Sequence, residues 1–158
     1  MSIKVEAQTS TFSRIDSLLE RGRYRLALTD LKKIDTLQDV AAFKIGKIYA
    51  SIDATKKAIE FYKKSLNYKD NFSVKLSLAT AFYKIKNYKK AIPIYETLLQ
   101  KDTENLLVAY RLGKSYLFVN DLEKASEIFI SLAKKDTENP NYHYQLGMIS
   151  GLKGNGNG

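Results

Sequence analysis

LGKSYLFVNDLEKASEIF, at residues 112–129, joins two amphipathic segments through a short polar turn. Apolar residues recur at spacings of three and four over 110–118 and again over 122–135, which is the pattern of an amphipathic helix. Gly113 and Ala125 are small, and we expect them where the two helix axes cross most closely, because a larger side chain there would push the backbones apart. The stretch therefore predicts two packed antiparallel helices.

The same pattern recurs along the chain at intervals of 33 or 34 residues. Small residues of the first helices are Gly46, Ala79, Gly113 and Gly147; the matching alanines of the second helices are Ala58, Ala91 and Ala125; and the aromatic residues four positions later are Tyr62, Tyr95 and Phe129. A fixed period of this length indicates stacked repeats. The units that it predicts are 10–38, 39–71, 72–105, 106–139 and a partial unit at 140–155.

These residues resemble the tetratricopeptide repeat (TPR) of bacterial-type proteins, or a fragment of such a protein. The motifs are LGKSY…ASEIF at 112–129, AIPIY at 91–95 and the weaker IGKIY…AIEFY at 45–62. The resemblance implies an all-α fold, a right-handed α-solenoid of antiparallel helix hairpins without a β-sheet. The chain departs from the family pattern because it has no tryptophan, and because Thr103 and Thr137 stand where a proline commonly ends the unit.

Composition limits the classes of function. The chain has 158 residues, enough for one domain, and its 44% hydrophobic and 27% charged residues are typical of a soluble globular protein. It contains no cysteine and a single histidine, His143, and no G-x-S-x-G, P-loop or H-E-x-x-H pattern occurs. We expect His143 to pack near the start of a first helix. The sequence therefore predicts a non-enzymatic protein without a cofactor or a metal.

The TPR resemblance implies that the first helix of each pair lines a concave, peptide-binding groove. The residues that it places there are Phe43, Lys44, Lys47, Tyr83, Lys84, Tyr110, Arg111, Lys114, Phe118 and Tyr144. This set is basic and aromatic, which suits a peptide that carries carboxylates. In the alternative interpretation, the lysines only keep a helical surface soluble and some of the tyrosines pack between helices.

Other partners remain open at this stage. The net charge of +9 favours anionic partners, and lysines occur in pairs at 56–57, 63–64, 89–90 and 134–135. We interpret these pairs as a solvated convex surface; binding of nucleic acid or another polyanion is the minority hypothesis. A third hypothesis is a sensory or scaffolding region of a larger multidomain protein. Leu146, Ile149 and Leu152 of the incomplete last repeat would allow a homodimer through the C-terminal end.

The two termini carry separate expectations. Residues 1–9 read as a disordered N-terminus or as the remnant of a signal peptide, because Val5 and Ala7 resemble a small-residue cleavage site. With such a remnant at 3–8 the protein would be exported or periplasmic, and otherwise cytoplasmic. No apolar run approaches the length of a membrane span. We expect GNGNG, at 154–158, to end the helical region, with 156–158 as a flexible tail.

The repeated pentapeptide KDTEN, at 101–105 and 135–139, allows two interpretations. Asp102 with Glu104, and the matching pair in the second copy, could bind calcium, but two carboxylates without further oxygen ligands make a poor site. In the other interpretation the pentapeptide joins stacked hairpins, with Asn105 and Asn139 as N-caps of the following helices. We favour the second interpretation, in which KDTEN connects two stacked hairpins.

Overall fold

The computed structural model describes residues 2–33 and 39–155. Within those ranges the chain forms nine helices and no strand. The helices are α1 (Ser2–Glu20), α2 (Tyr24–Lys32), α3 (Asp39–Ser51), α4 (Thr55–Tyr68), α5 (Phe72–Lys84), α6 (Tyr88–Lys101), α7 (Leu106–Phe118), α8 (Leu122–Lys135) and α9 (Pro140–Asn155). The predicted all-α fold of helix hairpins is confirmed.

The helices fall into two compact units, Met1–Val74 and Lys75–Gly158. In the first unit α1 packs on α2, α2 on α3, and α3 on α4. Its core joins Ile15, Leu31, Ile45 and Ile48, all buried, although Ile15 and Leu31 occupy the small and aromatic positions of the repeat pattern. Two aliphatic side chains thus fill the space that a small residue and a ring fill in later copies. The predicted single domain over 10–155 stays a prediction.

The second unit is built by α6 packing on α7, α7 on α8, and α8 on α9. The side chains of Tyr95, Leu98, Phe129 and Leu132 on its second helices are fully or almost fully buried. A Cβ atom added to Gly113 would lie 3.0 Å from two ring carbons of Phe129. A side chain at Gly113 would therefore press on the Phe129 ring of α8, and the helix crossing at Gly113 and Ala125 stays a prediction.

A residue with positive φ lies in the turn of each of the first four hairpins. These residues are Gly22 (φ 68°), Asp53 (62°), Lys86 (60°) and Asn120 (63°). Left-handed backbone reverses the chain within two or three residues, and only the first of these turns uses the glycine that adopts it without strain. The repeat therefore preserves the turn geometry while the side chain varies.

KDTEN is a joint in both copies. Asp102 is the C-cap of α6, and the Asn105 side chain accepts a hydrogen bond of 3.1 Å from the amide of Val108 in α7. In the second copy the Asn139 side chain accepts from the amide of Asn141 at 3.1 Å, just after Pro140 begins α9. Each asparagine also donates to the aspartate three residues before it, at 3.0 Å. Both predicted N-caps are present.

The helical region extends close to both ends of the described chain. Helix α1 begins at Ser2 and includes residues 2–9. No proline or glycine occurs before Gly22 to interrupt that helix. The interpretation of residues 1–9 as a disordered N-terminus or a signal-peptide remnant stays a prediction. At the other end α9 continues to Asn155, three residues longer than α7, and ends within GNGNG. The predicted flexible tail, 156–158, lies outside the described residues.

Candidate functional site

Three aromatic rings on the second unit form what we call the aromatic cluster: Tyr83 at the end of α5, Tyr88 at the start of α6 and Phe118 at the end of α7. Tyr88 stacks on Phe118 with ring centroids 4.6 Å apart, and Tyr83 meets Tyr88 edge-on at 5.3 Å. Tyr83 also lies 6.3 Å from Phe118. Phe118 is nevertheless 51% exposed, so the cluster presents an apolar ring to solvent.

Two cations lie on α7 beside this cluster. Lys114 Nζ lies 5.0 Å from the centroid of the Phe118 ring and donates a hydrogen bond of 3.3 Å to Gln145 Oε1. Arg111 donates to the hydroxyl of Thr80 on α5. Both partners are neutral, and among the described residues neither cation forms an ion pair with a carboxylate. Their charges are therefore oriented by the fold without being neutralised.

Tyr110 and Tyr83 are partly structural. The Tyr110 ring packs edge-on against Phe129 at 5.8 Å and against Tyr142 at 6.1 Å. Burial raises the pKa of Tyr83, the neighbouring tyrosines raise it further, and Arg111 acts in the opposite direction. Both rings are half-buried. The alternative interpretation, in which tyrosines pack between helices, therefore accounts for part of the contacts of these two residues.

Two predicted groove residues of the second unit lie outside these contacts. Tyr144 on α9 is 65% exposed, and Lys84 is exposed at the last residue of α5. Neither belongs to the aromatic cluster. The structure thus brings Tyr83, Phe118 and Lys114 together.

The three predicted groove residues of the first unit are less available. Lys44 forms an ion pair with Asp16 of α1, and its Nζ lies 5.8 Å from the ring centroid of Phe12. Phe43 packs against Tyr62 with centroids 5.8 Å apart. Lys47 is exposed with its Nζ 5.9 Å from the Phe43 ring, and it forms no ion pair within the described part of the chain. Of these three residues, Lys47 alone carries a charge that no carboxylate of the described residues compensates.

The eight paired lysines are all exposed and lie on the second helices α4, α6 and α8, while the convex surface that we expect them to form stays a prediction. Several of these lysines form ion pairs with glutamates or lie over aromatic rings. Lys64 pairs with Glu60 at 2.8 Å, which lowers the pKa of that carboxyl, and Lys135 pairs with Glu104 at 2.8 Å. The lysine one position before the repeat alanine lies over an aromatic ring of the preceding helix: Lys57 over Tyr49 at 5.3 Å, Lys90 over Phe82 at 5.8 Å and Lys124 over Tyr116 at 5.0 Å. These recurring contacts give the lysines a structural role between helices.

His143 does not pack as we expected. It is exposed, and its ring Nε2 donates to the carbonyl oxygen of Thr137 at 2.9 Å, so it holds the joint between α8 and α9. Within the described residues no group of three or more histidine, cysteine, aspartate or glutamate side chains could hold a metal ion. Over the same residues, no helix has the length and apolarity that crossing a membrane would need.

The C-terminal residues that we considered for pairing differ in exposure. Ile149 is buried, Leu146 is half-buried, and Leu152 is 47% exposed. Only Leu152 offers a large apolar area to a second copy, because α9 turns Ile149 toward its own unit.

Sequence reasoning missed Tyr88, which completes the aromatic cluster, and Tyr142, which packs on Tyr110. Tyr88 was visible in the turn motif KNYKKA at 86–91, but it belongs to a second helix, which the groove assignment did not consider. The position of Tyr88 could have indicated this contact. Tyr88 directly follows Asn87, the N-cap of α6, so its side chain starts close to the end of α5. Only the turn geometry places it against Phe118.

Comparison with known proteins agrees with the repeat geometry. Models of the tetratricopeptide repeat match residues 41–72 and 83–149. The chain belongs to the tetratricopeptide-repeat family. TPR proteins bind other proteins or peptides, so the family makes this chain a protein-interaction scaffold in general terms. No curated protein matches the sequence.

Solved TPR structures share the fold. MamA (residues 41 to the end) from Desulfovibrio magneticus RS-1 is 24% identical with a TM-score of 0.83, over 92% of this chain and 84% of that one. A MamA RS-1 double mutant is 25% identical, with a TM-score of 0.81 and the same coverage. YrrB, a TPR protein with an unusual peptide-binding site, is 18% identical with a TM-score of 0.82, over 92% of this chain and 77% of that chain.

Proposed function

We propose that this protein is a non-enzymatic scaffold that binds an acidic peptide segment of a partner through the first-helix face of its second unit. The observation that carries the proposal is the juxtaposition of Lys114 and the half-exposed Phe118, since the cation has no carboxylate partner and the ring is open to solvent. The peptide-binding site of YrrB is a precedent in a protein of the same fold.

The physical basis is a combination of charge and apolar area. A partner carboxylate can replace water at Lys114 and Arg111, whose present partners, Gln145 and Thr80, are neutral. Hydrogen bonds between ionised groups are roughly twice as strong as neutral ones. An apolar side chain next to that carboxylate would cover Phe118, and aromatic residues bury much area for little lost entropy.

The chemistry of this face also favours binding over catalysis. The side chains gathered there are cations, amides, hydroxyls and rings, and the single histidine is tied to a backbone carbonyl in the joint before α9. A general base must be able to accept a proton, which the cations Lys114 and Arg111 cannot do, and burial raises the pKa of Tyr83. We therefore propose no reaction for this site.

Fluorescence anisotropy with labelled decapeptides tests the proposal. Three capped peptides share leucine at every second position and carry glutamate, glutamine or lysine at the others. We expect the glutamate peptide to bind at least tenfold more tightly than the lysine peptide, with the glutamine peptide between them. Lys114→Gln should weaken the glutamate peptide about three- to tenfold, the value of one charge-assisted hydrogen bond to a partly covered group.

A matched control uses a lysine away from this face. Lys134 is exposed on α8, so Lys134→Gln removes the same charge from the whole chain without touching the aromatic cluster. Equal weakening by Lys134→Gln and Lys114→Gln would show a general charge effect and would contradict the proposal. Equal binding of the glutamate and glutamine peptides would contradict the proposal that the partner peptide is acidic.

A further inference from the structure

A pocket of about 440 Å³ opens between α6 and α8 in the second unit. Its lining includes Leu112 and Tyr116 of α7, both buried, and Gln100, Lys124 and Glu127 at the exposed rim. No lining residue belongs to the first-helix site described above. Pockets of this size commonly hold a ligand or a large side chain.

Two carboxylates lie in this pocket. The Tyr116 hydroxyl donates a hydrogen bond to the carboxylate of Glu96, and burial followed by this bond raises the pKa of Tyr116. The phenol therefore stays a donor and holds the Glu96 carboxylate in place. Glu127 is exposed and forms no ion pair with any residue that the structure describes.

One cation, Lys124, shares the lining, and it is already engaged. Its Nζ lies 5.0 Å from the centroid of the Tyr116 ring and 3.7 Å from the carboxylate of Asp121. The lining therefore carries two carboxylates against one ammonium group, a net charge of −1 in a chain whose formal charge is +9. A basic group is the complement of this pocket.

The remaining lining is apolar except for Thr103. Leu99, Leu112 and Ile128 line the cavity, and a smaller cavity of about 70 Å³ shares Leu99, Thr103 and Ile128 with it and is also lined by Lys135. Lys135 Nζ donates to the carbonyl oxygen of Thr103 at 3.0 Å and to the carboxylate of Glu104. A ligand in the larger pocket would thus contact carboxylates and aliphatic side chains.

We propose that this pocket binds an arginine or lysine side chain from a basic segment of a partner protein. The aliphatic stem packs on Leu99, Leu112 and Ile128, and the charged head pairs with Glu96 and Glu127. Arginine suits the site better than lysine, since its planar guanidinium can donate to two carboxylates at once. The exposed rim leaves room for the backbone of the segment to run along the outside of α6 and α8.

Methyl-detected NMR titration tests this proposal. The probe is a capped pentapeptide with one arginine between two leucines, compared with versions that carry norleucine or glutamate in place of the arginine. We expect saturating shifts of the Leu99, Leu112 and Ile128 methyl groups with the arginine peptide, and at least fivefold weaker binding of the norleucine peptide.

Conservative variants locate the charge. Glu96→Gln with Glu127→Gln keeps an acceptor for Tyr116 and should weaken the arginine peptide roughly fivefold, since partly exposed ion pairs contribute modestly to binding. The control, Glu123→Gln, removes an exposed carboxylate of α8 that pairs with Lys153 at 3.5 Å outside the pocket, and should leave binding unchanged.

Several results would overturn the proposal. These are equal binding of the norleucine and arginine peptides, shifts confined to residues of α5 or α9, no shift at millimolar peptide, or the same loss with Glu123→Gln as with the double variant. Equally tight binding of capped arginine alone would contradict the proposal of a partner segment, because the pocket would then be a site for a small organic cation. Because Lys114→Gln leaves this pocket intact, failure of the acidic-peptide site and failure of this one are separately visible.

Discussion

Three glycines that occupy the same place in the repeat should respond differently to alanine. Gly46, Gly113 and Gly147 all lie inside first helices, where alanine is favoured over glycine by about 1 kcal/mol. A Cβ on Gly46 would lie 2.5 Å from Cε1 of Tyr62, and one on Gly113 would lie 3.0 Å from the Phe129 ring. A Cβ on Gly147 would meet nothing within 4 Å.

The magnitudes follow from these distances. Gly147→Ala has only the propensity term and should stabilise by about 0.5–1 kcal/mol. At Gly46 the ring would have to move by roughly 1 Å, and Tyr62 is buried and packed on Phe43, so a strain of about 2–3 kcal/mol outweighs the gain. Gly113→Ala needs about half that shift, and its strain of about 1 kcal/mol nearly cancels the propensity gain.

Urea denaturation followed by circular dichroism at 222 nm measures the three variants against the parent chain. We expect Gly147→Ala to be the most stable variant and Gly46→Ala the least stable. Gly113→Ala should be close to the parent chain in stability. Equal effects of all three substitutions would refute the reasoning, because the position in the repeat would then outweigh the contacts. So would a Gly46→Ala variant more stable than the parent.

Two further outcomes are expected. Asn105→Ala should cost about 1 kcal/mol in urea denaturation, because the cap of α7 is lost, whereas Asn67→Ala, at an exposed position within α4, should be neutral or mildly stabilising. The raised pKa of Tyr116 gives stability that is fully present below the unfolded tyrosine pKa of about 10 and is lost as pH rises toward the folded value. Tyr116→Phe should therefore lose less stability than the parent between pH 9 and 11; parallel pH profiles would contradict this.

Much of the fold could be read from the residues alone. The spacing of Gly46, Ala79 and Gly113 located the first helices α3, α5 and α7, and KDTEN located two joints, because a repeat must place the same local chemistry at the same geometric point. The helix ends were less predictable. Helix α1 begins at Ser2, in a segment without proline or glycine, whereas α9 extends to Asn155 through Gly147, Gly151 and Gly154.

The proximity of some candidate residues was predictable, whereas their function as a site stays a proposal. Lys114, Arg111 and Phe118 lie on one helix, so their spacing places them close together. The ion pair of Lys44 could not be predicted from the sequence, because its partner Asp16 is 28 residues away on α1. The pocket beside Tyr116 could not be predicted either, because residues of three helices line it and no short sequence motif contains them.

The sequence by itself determined the repeat, the helix pairs, the joints and the basic, aromatic character of the first helices, since all of these depend on residues close in the chain or at a fixed period. Only the tertiary structure decided which cations are neutralised, which rings cluster around Phe118, and where a cavity with two carboxylates remains. Those properties depend on side chains that meet across helices, and there a difference of a few ångströms separates an ion pair from a free charge.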